Sequence, residues 1–422
     1  MKSLLWSTPF LASILAAAGP ASFQVLPGGL PLVVVENHER PYLELRLEVH
    51  WSPEEEPPGK DGLSTVLGRM LESGGAGPFG PRALRRALES RGMELRFEGS
   101  PGTFAWILRG PSTAQEMVFE FLAHVALRPR LDGSLLEAHR TGLARELLSM
   151  GLEGQAQDRF LGGLLLGYPT AQPTEGGLSR ISLEDLEQFR RQVLHPRRAR
   201  LAVFGDLSPA QARQLGQLHL GVWGPGDAPG ASPPAERRPR SRRPVGAFTV
   251  VTSAGAPDLT LSLPLPHSLP PDAGEILRPL LERRCRAIPE ARLRDLPDGR
   301  PCLEFRARVA PGGNAMESAR RLAALADGLA RELPAPSEAS ELFRLAGAAR
   351  AALALHPSAY LARLAREDWE PLRTYSSGEL GEALRTWLAP DSRRWLLTGA
   401  PLPPAKCGLE ELGPIQWVKP GD

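Results

Sequence analysis

The stretch Gly62-Leu63-Ser64-Thr65-Val66-Leu67-Gly68-Arg69-Met70-Leu71-Glu72-Ser73-Gly74-Gly75 decides how the rest of the chain is read. Its apolar residues recur at helical intervals, and the glycine pair ends the helix. Apolar runs precede it at Leu32 to Val35 and Leu43 to His50, and others follow at Glu94 to Phe97 and Thr103 to Leu108. These four read as strands. Thr113 to Ala126, Ser134 to Leu148 and Ser182 to Val193 then read as helices, and Leu201 to Phe204 as a strand.

Several of these segments carry a shared pattern. Leu26-Pro27-Gly28-Gly29-Leu30-Pro31-Leu32-Val33-Val34-Val35 resembles the opening L-x-N-G-L-x-V strand of the insulinase or pitrilysin family of inverted zinc metallopeptidases, which includes mitochondrial processing peptidase. Leu43 to Ser52 resembles that family's L-x-V-x-x-G-S strand, with Trp51 at the glycine position. Gly62-Leu63 matches the entry to the active-site helix, and Met70 to Gly75 its glycine-ended exit. Gly167-Tyr168-Pro169-Thr170 with Gly176-Gly177, Leu183 to Phe189, and Leu201 to Asp206 resemble later landmarks. The match is good over residues 23–222 and loose beyond.

The family signature on this helix is H-x-x-E-H, with a second Glu far downstream. In that register Thr65 and Arg69 stand at the histidine positions and Gly68 at the catalytic glutamate position. Skipping about 76 residues, the interval the resemblance implies, lands on Glu146 within Ala144-Arg145-Glu146-Leu147-Leu148. Histidines four apart share a helix face and bind one Zn²⁺ together, while the glutamate takes a proton from the metal-bound water. Threonine is a poor ligand, glycine carries no proton-transfer group and arginine is permanently cationic. A guanidinium about 4 Å from a dication repels it by roughly 8 kcal/mol at an effective dielectric of about 20. These positions predict a non-enzyme without metal or cofactor, in which Arg69 and Glu146 form an ion pair in the space a metal would use.

No two of the eight histidines fall at i, i+3 or i, i+4. His139, seven residues before Glu146, reads as a partly exposed helical histidine. Pro53-Glu54-Glu55-Glu56-Pro57-Pro58 reads as a solvated acidic loop. The tryptophans are dispersed and read as core or interface residues.

A chain of 422 residues is long enough for two domains. A formal charge of +2 gives no reason to expect nucleic acid or an anionic membrane as partner. Lys2 precedes an apolar stretch from Leu4 to Ala18, and Ala16-Ala17-Ala18 offers small residues for signal-peptidase cleavage after Ala18 or Ala21. Residues 1–21 therefore read as a signal peptide and the mature chain as periplasmic or secreted, with no stable membrane span. The three cysteines, Cys285, Cys302 and Cys407, allow one bridge, with Cys285 to Cys302 favoured, or unpaired buried thiols throughout.

Residues 224–246 carry six prolines and a late run of arginines, a composition that reads as an extended linker. Beyond it, Phe248 to Ser253, Leu259 to Leu265, Leu303 to Val309 and Trp395 to Thr398 read as strands. Gly274 to Arg286, Met316 to Glu332, Glu338 to Leu355 and Ser358 to Asp368 read as helices. This order is similar to the family's second domain. The resemblance thus implies an α+β protein of two homologous insulinase-like α/β sandwich domains, 22–223 and 247–422, forming a clamshell. In several family members the second domain supplies an Arg and a Tyr that hold peptide backbone; Tyr360 and Tyr375 lie later than the matching loop. The implied role is the inactive partner of an H-x-x-E-H zinc peptidase subunit, enclosing unfolded peptides. A stand-alone peptide- or protein-binding scaffold is the alternative, and an enzyme with a rebuilt site a third reading.

Overall fold

The structure is a computed structural model of the chain. It describes residues 21–51, 55–100, 102–160, 173–223, 248–252, 257–266, 268–296, 300–309, 315–332, 334–354, 372–399 and 415–418. The expected signal peptide up to residue 20, the linker, the helix Ser358 to Asp368, Tyr360 and Cys407 lie outside the described residues.

The first compact unit holds a six-stranded sheet and its helices. In chain order its elements are β1 (Ser22–Val25), β2 (Pro31–Glu36), β3 (Tyr42–His50), α1 (Leu63–Ser73), β4 (Gly75–Ala76), α2 (Pro81–Glu89), β5 (Glu94–Ser100), β6 (Thr103–Pro111), α3 (Gln115–Leu127), β7 (Pro129–Arg130), the part of α4 (Gly133–Phe160) up to Glu146, α5 (Glu175–Arg180), α6 (Leu183–Val193), β8 (Ala199–Gly205) and α7 (Pro209–Leu220). The sheet runs β1-β2-β8-β3-β6-β5, with β2 and β8 parallel and the other pairs antiparallel. β4 and β7 form a separate two-stranded ribbon.

Strand β3 is buried on both of its faces. Its alternating sequence puts Leu43, Leu45, Leu47 and Val49 on one side, all fully buried, and Glu44, Arg46 and Glu48 on the other. The charged set is buried too, at 0, 3 and 1% exposure. Pairing makes that tolerable: Arg46 donates from Nε to Glu48 Oε2 at 2.9 Å and from Nη1 to Glu98 Oε2 at 2.8 Å, and Arg109 donates to Glu44. Burial works against the Arg46 charge, but Glu48 and Glu98 outweigh it and hold the guanidinium protonated.

The second unit contains β9 (Phe248–Thr252), β10 (Asp258–Pro264), α8 (Pro271–Cys285), β11 (Ala291–Asp295), β12 (Pro301–Arg308), α9 (Ala315–Arg331), α10 (Pro336–Ala354), α11 (Ser377–Trp387), β13 (Arg394–Gly399) and β14 (Ile415–Val418). Its sheet order, β11-β12-β10-β13-β9-β14, repeats the first from β5 to β2 strand for strand. The parallel pair β13 with β9 matches β8 with β2, and each repeat ends the matching strand on a positive-φ glycine, Gly205 or Gly399. Only the outermost strand differs: β1 precedes β2 and runs antiparallel to it, whereas β14 comes last and runs parallel to β9. The core of this unit gathers Leu259, Leu261, Leu263, Phe305 and Trp387, whose indole Nε1 donates to the Leu263 carbonyl at 2.9 Å.

The mixed α+β organisation and internal repeat are as the sequence implied. β1, α2, α5, α7, β11, α11 and β14 were not foreseen; most are short or carry weak periodicity. Cys285 and Cys302 are both free and buried, so the bridge between them is not formed. Burial raises both thiols, Cys285 to about 11. The acidic loop also needs correction where it is described: Glu55 pairs with Arg198 at 2.7 Å, and Glu56 is held against the start of α1. Neither is simply solvated.

Candidate functional site

Helix α1 begins at Gly62, whose φ of 98° favours glycine, and its Cβ position would lie 2.8 Å from Pro173 Cα. With a glycine at the N-cap, the capping acceptor comes from afar. Glu56 accepts from the Gly62 amide at 3.1 Å and the Ser64 amide at 2.6 Å. Burial raises the Glu56 pKa, and the Ser64 and Gly62 donors counter it. This capping carboxylate sits eight residues before Ser64, a spacing that no local capping motif signals.

The four positions singled out in the sequence fall on α1 and α4. Arg69 and Glu146 meet: Nη2 of Arg69 donates to both carboxylate oxygens of Glu146, at 3.0 and 3.2 Å. The expected contact is formed, but in an open setting, with the side chains 44 and 54% exposed. Gly68 is buried, and a Cβ there would stand 3.4 Å from Phe104 Cε1 and 3.5 Å from Phe97 Cε1. The two phenyl rings, themselves 5.8 Å apart, occupy the ground toward which a side chain at position 68 would grow. Thr65 lies one turn earlier on α1 and is half-buried.

His139 joins the same junction. Its Nε2 lies 2.7 Å from Ser73 Oγ, and that hydroxyl donates to the Arg69 carbonyl at 2.7 Å. Burial and the neighbouring Arg69 charge lower the His139 pKa, against an opposing pull from Glu72. So α1 and α4 are joined twice, through Arg69–Glu146 and Ser73–His139. His139 is helical and partly exposed, as the sequence reads; its contact with Ser73 carried no sequence signal, because helical spacing says nothing about contacts between helices.

The donor set does not suit a metal. Of the four positions the resemblance assigns, threonine, glycine and arginine are not metal ligands, and only Glu146 is a competent one. Among the described residues no three His, Cys, Asp or Glu side chains converge in a way that could hold one.

Next to this junction, the sheet ends at β5. Among the described residues it pairs with β6 alone, which leaves its outer edge without a described strand partner. A pocket of about 340 Å³ lies beside it, bounded by Leu71 and Glu72 of α1, residues Leu95 to Glu98 of β5, and Trp106. In the second unit, Tyr375 donates its hydroxyl to Asp272 at 2.8 Å, and burial together with Asp272 pushes its pKa up to about 12. That hydroxyl is spent within its own unit. Among the described residues no helix is long and apolar enough to cross a membrane.

This α+β fold, with its internal repeat, is the one that M16 peptidase structures share. Three solved structures share it: a peptidase M16 inactive domain from Pseudomonas fluorescens, with TM-score 0.71 and 15% identity over 91% of this chain and 98% of that one; a protease from Helicobacter pylori, with TM-score 0.70 and 14% identity over 90% and 99%; and the periplasmic protease PqqL from Escherichia coli, with TM-score 0.65 and 14% identity over 94% of this chain and 50% of that one. At these identities the likeness is one of fold. No family model matches the sequence, and no curated protein matches it.

Proposed function

We propose that this chain is a non-catalytic insulinase-like peptidase homologue that serves as the inactive partner subunit of an H-x-x-E-H zinc peptidase and binds unfolded peptides. The observation that carries this reading is the surroundings of α1: Arg69 salt-bridged to Glu146 and Gly68 walled by Phe97 and Phe104. The outer edge of β5 runs beside α1 and offers backbone groups to an extended chain, which supports binding without cleavage. The same fold in an M16 inactive domain and in a periplasmic protease supports both the inactivity and a periplasmic or secreted setting. In this reading residues 1–21 are removed on export, 22–223 and 247–422 are the two domains, and 224–246 links them.

The test is affinity purification of the tagged mature chain from its native cell envelope, followed by mixing with whatever co-purifies. A homologue with intact H-x-x-E-H at near-stoichiometric yield, whose hydrolysis of an unfolded peptide rises when this chain is added, is the expected result. Recovery of unfolded peptides without such a homologue moves the reading to a stand-alone peptide-binding scaffold.

A further inference from the structure

We propose that the outer edge of β1 is a self-association surface, where β1 of a second copy of this chain adds antiparallel across a two-fold axis at Gln24. This goes beyond the partner-subunit reading, and neither depends on the other.

The backbone fixes which groups are on offer. Among the described residues β1 pairs with β2 alone, in the register Ser22–Val34, Phe23–Val33, Gln24–Leu32 and Val25–Pro31. Antiparallel partners alternate between hydrogen-bonded and non-bonded pairs. Pro31 has no N–H, and the next pair along is closed by the Leu26 amide donating to the Leu30 carbonyl at 2.8 Å. Val25–Pro31 is therefore a non-bonded pair, and so is Phe23–Val33, two residues back. The amides and carbonyls of Phe23 and Val25 thus point away from β2. Their side chains share one face of the sheet and are 63 and 62% exposed.

Charge and symmetry select the occupant. The described sheets end at β1 and β5 in the first unit and at β11 and β14 in the second. β5 carries Glu94, Arg96 and Glu98, and β11 carries Arg292, Arg294 and Asp295, charges of the kind that keep an edge from pairing. Ser22-Phe23-Gln24-Val25 has no charge and no proline. An antiparallel two-fold at Gln24 sets Phe23 of each copy opposite Val25 of the other. The outward amides and carbonyls then meet, each pair exchanging both backbone hydrogen bonds, and phenyl packs on isopropyl. A strand with a charge at either flanking position would lay it against one of these apolar side chains. β14 (Ile415–Val418) is uncharged as well, but a β1-to-β14 contact is heterologous and does not close at two copies.

Size sets the strength. Phe23 and Val25 together expose on the order of 200 Å² per copy, a whole aromatic side chain carrying about 150–250 Å². Two copies then bury well under the ~1,200 Å² at the low end of stable complexes, so the dimer is weak and reversible.

The experiment is sedimentation velocity of the full mature chain over micromolar to submillimolar concentrations, paired with cross-linking. The expected result is a monomer–dimer equilibrium that stops at two copies, with a dissociation constant of roughly 10–100 µM. Val25→Pro removes an outward N–H and leaves the bonds between β1 and β2 in place, because that amide does not face β2. With one bond lost from each copy, association should weaken about tenfold. Phe23→Lys, at an exposed position, is the second variant and should weaken it as well. In a Cys407→Ser background, with Cys285 and Cys302 buried, Gln24→Cys stands on the axis. Its non-bonded pairing puts the two Cα atoms about 4.5 Å apart, within disulfide reach. Mild oxidation should therefore give a covalent dimer, whereas Val25→Cys, remote from its own copy, should give none. A monomer at every concentration, a dimer indifferent to both Val25→Pro and Phe23→Lys, cross-linking through Val25→Cys instead of Gln24→Cys, or growth past two copies each overturns the proposal. None of these outcomes bears on binding to a peptidase subunit or to unfolded peptides, which the envelope purification tests separately.

Discussion

The guanidinium of Arg69 on α1 faces the carboxylate of Glu146 on α4, one nitrogen reaching both oxygens at 3.0 and 3.2 Å. The pair joins the two helices across 76 intervening residues. With both side chains near half exposure, solvent screens much of the attraction. A double-mutant cycle with Arg69→Ala and Glu146→Ala, read by denaturant unfolding, should give a coupling below about 1 kcal/mol. A coupling of several kcal/mol would show that the pair is far less hydrated than its exposure indicates.

The same meeting point predicts a gain of function in metal binding. Thr65→His with Arg69→His places two imidazoles one turn apart on α1, facing the retained Glu146, and the pair of substitutions should confer zinc binding measurable by calorimetry. Adding Gly68→Glu should lower stability by about 1–3 kcal/mol, since Phe97 and Phe104 already stand within contact of the Cβ position. Zinc binding by the unsubstituted chain with equal affinity would contradict the assignment of this position as a dead site.

Removal of the distant cap on α1 should be costly for one exchange. Glu56→Ala strips acceptors from the Gly62 and Ser64 amides. The expected loss is about 1–2 kcal/mol of unfolding free energy. A neutral outcome would mean that water replaces the carboxylate fully.

Arg46 should be among the most sensitive positions in the first unit. Arg46→Ala leaves Glu48, 1% exposed, without its nearest cation. Loss of about 3–5 kcal/mol is expected, visible as a lowered urea midpoint. Replacing Arg46 and Glu48 together with Met and Leu should recover much of it, because no buried charge then remains unpaired.

Stability should also depend on His38 across neutral pH. Its Nδ1 lies 2.6 Å from Asp206 and its Nε2 2.8 Å from Glu36, contacts that raise its pKa above 6.5, while His38 and Ser112 lower that of Asp206 below 3.8. The raised histidine stabilises the fold fully below about pH 6.5 and loses that contribution as pH climbs through the folded value. The lowered Asp206 contributes above about pH 3.8 and loses its effect as pH falls through its own folded value. His38→Gln should therefore lower Tm more at pH 5.5 than at pH 8.5. An equal shift at both would show that the imidazole charge contributes nothing.

Both β3 and the α1 segment were readable because local pattern fixes them: alternation marks the strand, and three- and four-residue recurrence marks the helix. The meeting of Arg69 with Glu146 was readable only through register with a known family, since 76 intervening residues carry no local signal. Glu56 was misread for the mirror-image reason. An acidic, proline-flanked run looks solvated, and only the folded path brings one of its carboxylates onto a helix start. The Ser73–His139 contact was invisible on the same grounds, and short elements such as β1, β11 and α5 are too brief to show a period.

By itself the sequence determined that threonine, glycine and arginine stand at positions 65, 68 and 69, a covalent fact that no fold can alter. Hydrophobic periodicity marked most of the strands and helices, and the family resemblance implied their repeat. Only the tertiary structure decided what surrounds those positions: an exposed ion pair between Arg69 and Glu146, two phenyl rings over Gly68, and a pocket between α1 and β5. These depend on the distances between segments remote in the chain, and such distances are set when the whole core packs.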